Sequence, residues 1–202
     1  MSKFVALLGW VLIAVSWIGP LEAQRPNALS FEDGEEGWIL LFYGSDLEGW
    51  TSAGDVDWRV EGDAIVASSG GQGLLTTEDA FDSFELKLDF RAEPGANSGV
   101  FLRVQPNPKN VTTDAYELNI APPENPFPTG SLVQRVKVEG VEESDEWRSF
   151  HIVAAGPHFE VKLDGETILD WTDPNPIGSG VIGLQHNQGR IAFRNIKLRY
   201  LD

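Results

Sequence analysis

Residues 83–91 carry the clearest pattern in the chain: Phe84, Leu86, Leu88 and Phe90 alternate with Glu85, Lys87, Asp89 and Arg91. A period of two predicts a β-strand with one face in a core and the other in solvent. Similar runs cover 38–42, 57–67, 73–77, 99–105, 116–121, 131–139, 148–154, 158–163, 166–172, 180–185 and 190–201. Glu61-Gly62-Asp63 interrupts the run at 57–67, and Asp164-Gly165 is a two-residue hairpin turn. No window beyond residue 23 shows an apolar stripe of helical period, and the glycines and prolines fall mostly between the runs. The pattern predicts an all-β fold, two antiparallel sheets packed as a jelly-roll sandwich.

The first residues follow another logic. Lys3 precedes a run from Phe4 to Ile18 in which only Ser16 is polar; Gly19-Pro20 breaks it, and Leu21-Glu22-Ala23 ends on a small residue. That order is the order of a secretory signal. We therefore expect residues 1–23 to be a cleaved signal peptide, 24–34 a linker and 35–202 one domain, exported to the periplasm or beyond. An uncleaved anchor is the alternative, although a spanning helix needs about 20 apolar residues. No second stretch is apolar enough to span a membrane, so no stable insertion is expected once the signal is removed.

Composition narrows the chemistry. The chain has 202 residues, a formal net charge of −16 and no cysteine. Thiolate catalysis, disulfides and Cys-ligated metals are excluded. The acidity argues against nucleic acid as a partner. Phosphate loops, zinc-protease helices and serine-hydrolase elbows are missing from the sequence. Asp55, Asp57, Glu61 and Asp63 crowd one turn without EF-hand spacing; a structural calcium is one use of them, and no other cofactor is expected.

Strand parity sorts the remaining polar residues. Along 116–120, Tyr116, Leu118 and Ile120 form the apolar face, and Glu117 and Asn119 point away from it. Val100, Leu102 and Val104 leave Phe101, Arg103 and Gln105 on the opposite face, and Ile182 and Leu184 leave Gln185 outward. Should these strands be neighbours, Arg103, Glu117, Asn119 and Gln185 line one polar patch with Phe101 as a flat platform, which suits a sugar. A solvated sheet face with Arg–Glu cross-strand pairs is the competing reading. Trp171 falls on the outer face of its hairpin, where it either stacks on a sugar or packs between sheets. His186, just before the turn at 187–189, is the best-placed acid/base histidine.

The ordered set of segments Gly37-Trp38-Ile39-Leu40-Leu41-Phe42, Asp46-Leu47-Glu48-Gly49-Trp50, Trp58-Arg59-Val60-Glu61-Gly62, Asn97-Ser98-Gly99-Val100-Phe101-Leu102-Arg103, Tyr116-Glu117-Leu118-Asn119-Ile120 and Gly183-Leu184-Gln185 resembles the 3-keto-disaccharide hydrolase family. The resemblance implies a concanavalin-like jelly roll and a carbohydrate substrate. It also implies hydrolase or lyase cleavage of glycosidic bonds in sugars oxidised at C3, by removal of the proton beside the ketone. Carried over, Glu117 is expected as the base or as an anchor for a metal or the ligand, Arg103 as the stabiliser of the enolate or a hydroxyl, and Asn97 and Gln185 as substrate contacts. The family usually reads Leu-Gln-(Asn or Asp)-His-Gly where this chain has Leu184-Gln185-His186-Asn187-Gln188-Gly189. A lectin-like module that binds carbohydrate without cleaving it is the alternative.

Protein exported by a native-like host is expected to lack residues 1–23. Intact-mass spectrometry checks this, and exported material that retains Met1 contradicts it.

Overall fold

The computed structural model describes residues 25–110 and 113–201, so the expected signal peptide lies outside the described residues. One short helix, α1 (Phe31–Glu35), is followed by β1 (Ile39–Leu40), β2 (Trp50–Val56), β3 (Arg59–Glu61), β4 (Ala64–Ala67), β5 (Gly70–Phe81), β6 (Phe84–Ala92) and β7 (Asn97–Val104). Then come β8 (Tyr116–Ile120), β9 (Arg148–Ala155), β10 (His158–Leu163), β11 (Glu166–Thr172), β12 (Gly180–Gln188) and β13 (Ile191–Tyr200). An eight-stranded sheet runs β11-β10-β9-β6-β13-β4-β3 with β1 beside β13; a five-stranded sheet runs β2-β5-β12-β7-β8. All pairings are antiparallel. The expected sandwich is the fold.

The alternation along β6 does what its period requires. Phe84, Leu86, Leu88 and Phe90 are buried between the sheets, where they meet Val100, Leu102, Tyr116, Leu118, Ile120, Ile182 and Leu184 of the other layer. Removing such apolar area from water, at roughly 25 cal/mol per Å², is the main force that closes the sandwich. The stretch expected as linker is tied to this body. Ser30 caps α1 with a reciprocal bond to Asp33, and Asn27 bonds the backbone of Asp63 and Asn195.

Two segments depart from the pattern. Strand β2 is exposed along most of its length, so its sequence lacks the alternation that marks the others. The run at 131–139 is a tight loop instead of a strand. Leu132 bridges both Leu118 and Val136, and Gln134 turns the chain at φ 60°. The acidic turn holds arginines: Asp57 and Glu61 pair with Arg59, Glu61 with Arg190, and Asp63 with Arg194. Among the described residues no cluster of three metal-ligating side chains occurs there or elsewhere.

Arg103 ties the two layers together. It adopts a left-handed φ of 55°, and Leu102 and Arg103 together face Ile182 where the β7–β12 register shifts. This β-bulge turns Arg103 inward. Its guanidinium donates to the carbonyls of Asp82 (2.7 Å), Gly156 (2.7 Å), Ala154 (3.3 Å) and Ile177 (3.2 Å), and it stacks on Phe159 at 5.4 Å. Only 1% of the residue is exposed. Burial pushes its pKa down, while Asp82 and Tyr116 oppose that shift.

Arg103→Met keeps most of the volume and removes every donor. Buried acceptors left unpaired cost about 1–3 kcal/mol each, so the loss in unfolding free energy is expected to be about 3 kcal/mol or more, read by urea denaturation. A midpoint equal to that of the wild type contradicts this role for Arg103.

Candidate functional site

On the outer face of the five-stranded sheet, cross-strand register arranges side chains in rows. Gln185 on β12 faces Gly99 on β7, which faces Asn119 on β8; in the next row Gly183 faces Phe101, which faces Glu117. Tyr116, Leu118 and Ile120 go to the core, so Glu117 and Asn119 are forced outward together. Gly99 leaves the space that the Glu117 side chain fills. A Cβ there would lie 3.1 Å from the Leu118 carbonyl, 3.3 Å from Glu117 Cγ and 3.5 Å from Glu117 Oε1. Glu117 thus leans across a strand that has no side chain at that point, toward Gln185. Asn97, half-buried, stands two residues before Gly99 on the same face, about 7 Å along the strand at a strand's rise per residue.

Loop 129–133 holds β8 rigid from its free edge. Val133 N–H donates to the Glu117 carbonyl, Gly130 N–H to the Asn119 carbonyl, and Asn119 N–H to Ser131. The chain turns into this clamp at Gly130, with φ 88°. The Asn119 side-chain amide donates to the Phe127 carbonyl, which fixes its orientation.

Burial dominates the electrostatics. Glu117 is 8% exposed. Desolvation raises its carboxyl to about 7 and outweighs the Gln185 hydrogen bond that favours the charged form. Asn119 Oδ1 and Gln185 Oε1 are buried and accept no hydrogen bond. An unsatisfied buried acceptor normally costs free energy, so two of them beside a tunable acid mark a place where donors from outside fit. Two acceptor oxygens and one acid that ionises near neutrality can hold hydroxyl groups and exchange a proton.

Glu117, Asn119, Gln185 and Asn97 share the expected face; four other expected site residues do not serve as expected. Arg103 is turned inward by its bulge and is spent on backbone carbonyls. His186 continues the inward parity of Leu184. It is 3% exposed, and its two ring nitrogens each lie 2.9 Å from a carbonyl, Gly71 on one side and Gly189 on the other. Phe101 lies on the expected face but is 0% exposed, packed with Val104, Ala115, Leu74 and Val181. It is a floor beneath the site, not an open platform. Trp171 moves because Ile168 bulges out of the hairpin: Leu169 faces Val161 and Trp171 faces Phe159. Its ring stacks on Phe159 at 6.2 Å and packs on the core.

Sequence reasoning missed two positioning elements. Gly99 carries the signal of a glycine inside a strand pattern, which indicates close approach by another group. The clamp at 129–133 carries only Thr129-Gly130, a turn signal at the start of a stretch with strand-like pattern.

Comparison with known proteins gives a consistent picture. The family described as the 3-keto-alpha-glucoside-1,2-lyase-like domain matches residues 37–199. A 3-keto-disaccharide hydrolase from Bacteroides thetaiotaomicron is 28% identical over 105 residues, which cover 46% of this chain and 36% of that protein. The chain therefore spans about a third of that relative. A provisionally named glycosyl hydrolase from Parabacteroides distasonis is 24% identical and superposes with a TM-score of 0.76, covering 88% of this chain and all of that one. The carbohydrate-binding module CBM66 from Bacillus subtilis shares the fold at a TM-score of 0.60 and 19% identity, over 77% of this chain and 98% of the module.

A raised carboxyl has a stability consequence. The folded state binds the Glu117 proton up to about pH 7, whereas an unfolded Glu releases it near 4.3. Native stability should therefore fall as pH rises between these values, by roughly 3–4 kcal/mol. Glu117→Gln should gain on the wild type over that interval and lead it above pH 7 in denaturant unfolding. A difference that does not change between pH 4 and 8 contradicts the assignment.

Proposed function

This chain belongs to the 3-keto-alpha-glucoside-1,2-lyase-like domain family, and on that footing we propose that it cleaves glycosidic bonds of sugars that carry a ketone at C3. The observation that carries the reading is Glu117, raised to about 7 by burial beside two buried amide oxygens without hydrogen-bond donors. A C3 ketone acidifies the neighbouring C2–H. The Glu117 carboxylate takes that proton, and the C2–H electron pair moves into the ketone as an enolate. The enolate then expels the oxygen at C1. The departing oxygen collects a proton from the Glu117 carboxyl, which restores the base, and water adds across the new double bond to complete hydrolysis.

An acid that titrates near the working pH suits both transfers, because base strength and ease of return are balanced there. Asn119 Oδ1 and Gln185 Oε1 accept substrate hydroxyls. The Asn97 amide, on the same face, takes the donor role toward the enolate oxygen that Arg103 cannot fill. We further propose that the protein works outside the cytoplasm, on the ground of the signal-like order of residues 1–23.

A second reading is favoured by one observation. Both Arg103 and His186 are withdrawn from the face and bonded to backbone carbonyls. A face with acceptors and one acid, and without a further charged group, also fits a carbohydrate-binding module that does not cleave its ligand.

The rate on a 3-keto glucoside with a chromogenic leaving group is expected to rise with pH and level off above about 7. Glu117→Gln should lower it by about 10²–10⁴-fold with the fold intact. Arg103→Lys should change stability far more than kcat. Wild-type protein that binds 3-keto sugars without turnover selects the binding-module reading, and full activity in Glu117→Gln removes Glu117 from the mechanism.

A further inference from the structure

The eight-stranded sheet presents an outer face of its own, on the other layer from the sheet that carries Glu117. Lys197 on β13 faces Lys87 on β6, which faces His151 on β9, which faces Lys162 on β10. Like charges directly opposite one another across strands are destabilising, and the chain has 31 acidic residues against 15 Lys and Arg with which to avoid it. Three members of the row have acidic partners. Lys197 pairs with Asp33 at 2.5 Å, His151 with Glu85 at 2.8 Å and Lys162 with Glu160 at 3.1 Å.

Lys87 differs. Its Nζ stands 4.3 Å from the ring of the buried Trp38 and forms no ion pair among the described residues. It lines a cavity of about 230 Å³ with Lys197, His151, Ser149, Asn195 and Arg25. Arg25 is exposed and likewise forms no ion pair among the described residues. Asp89 also reaches this wall, but its charge is engaged. Ser149 donates to it at 2.6 Å and Asn195 at 2.5 Å, and Arg194 lies 3.5 Å away. The cavity thus offers two cations without carboxylate partners.

We propose that this cavity binds a small oxyanion, a carboxylate or a phosphate group carried by a sugar-sized ligand, with Lys87 as the principal contact and Arg25 at the mouth. The volume is below the roughly 300–1,000 Å³ of drug-sized ligand sites, which restricts the occupant to one small group or one ring. Lys87 is pre-positioned by the Trp38 ring, so an arriving anion need not immobilise a free lysine. The site is independent of Glu117 and of the reaction proposed there.

The test is calorimetric titration of the full exported chain at low ionic strength with sodium glucuronate, inorganic phosphate and glucose. Glucuronate or phosphate should bind saturably and glucose should not; the tighter of the two anions identifies the source of the group. Lys87→Gln should weaken anion binding by about tenfold or more, while Lys87→Arg should stay within about threefold of wild type. Circular dichroism and the 3-keto glucoside rate report whether the variants keep the fold and the other face. No saturable binding of either anion by wild-type protein, or equal binding by Lys87→Gln, overturns the proposal.

Discussion

The buried guanidinium of Arg103 is the constraint on which much else depends. One side chain from the five-stranded sheet gathers carbonyls from Asp82 in the β5–β6 turn, from Ala154 near the end of β9, from Gly156 in the β9–β10 turn, and from Ile177 in the loop before β12. A charge taken out of water is tolerated only when its donors are used. The carbonyls must therefore be held where they are, and with them the approach of the two sheets at that end. The bulge that turns Arg103 inward also sets the register of β7 against β12. That register decides that Gly99 lies between Gln185 and Asn119. The geometry of the site is thus tied to a residue that never touches it.

Parity arithmetic succeeds wherever a strand is regular. The apolar alternation at 84–90, the sandwich fold and the outward placement of Glu117, Asn119 and Gln185 are all legible because each rests on a period of two. It fails at bulges. One extra residue at Leu102–Arg103 and another at Ile168 reverse the side that every later residue faces, and nothing in the local composition announces them. His186 departs for a different reason: the residues after Gln185 have the composition of a turn, whereas β12 runs on to Gln188 and keeps its parity as far as His186, before the register shifts at Gln188. Burial of Phe101 depends on Val104, Ala115 and Val181 closing around it, a tertiary fact that strand pattern does not contain.

The two sheets divide the chemistry. The five-stranded sheet carries an acid short of charge partners and amide oxygens short of donors. The eight-stranded sheet carries most of the ion pairs, including the row around Lys87 and the stacking of Arg91 and Arg194 on Trp147 at 5.1 and 4.0 Å. Exposed ion pairs such as Lys162–Glu160 contribute little each, whereas the more buried Asp33–Lys197 and Glu85–Arg199 pairs hold this face more firmly. The Glu117 face has less freedom, because Glu117 and Asn119 are buried and the Gln185 Oε1 atom is covered.

Gly99 makes the acidity of Glu117 a property of a neighbour. The carboxylate reaches its buried position by lying over a strand that offers only hydrogen at that point. Any larger residue there would lift the side chain toward water, and a solvated carboxyl is a stronger acid and a weaker base. Across related chains, then, the proton affinity of this group can be reset by a substitution on the adjacent strand while the glutamate itself stays in place.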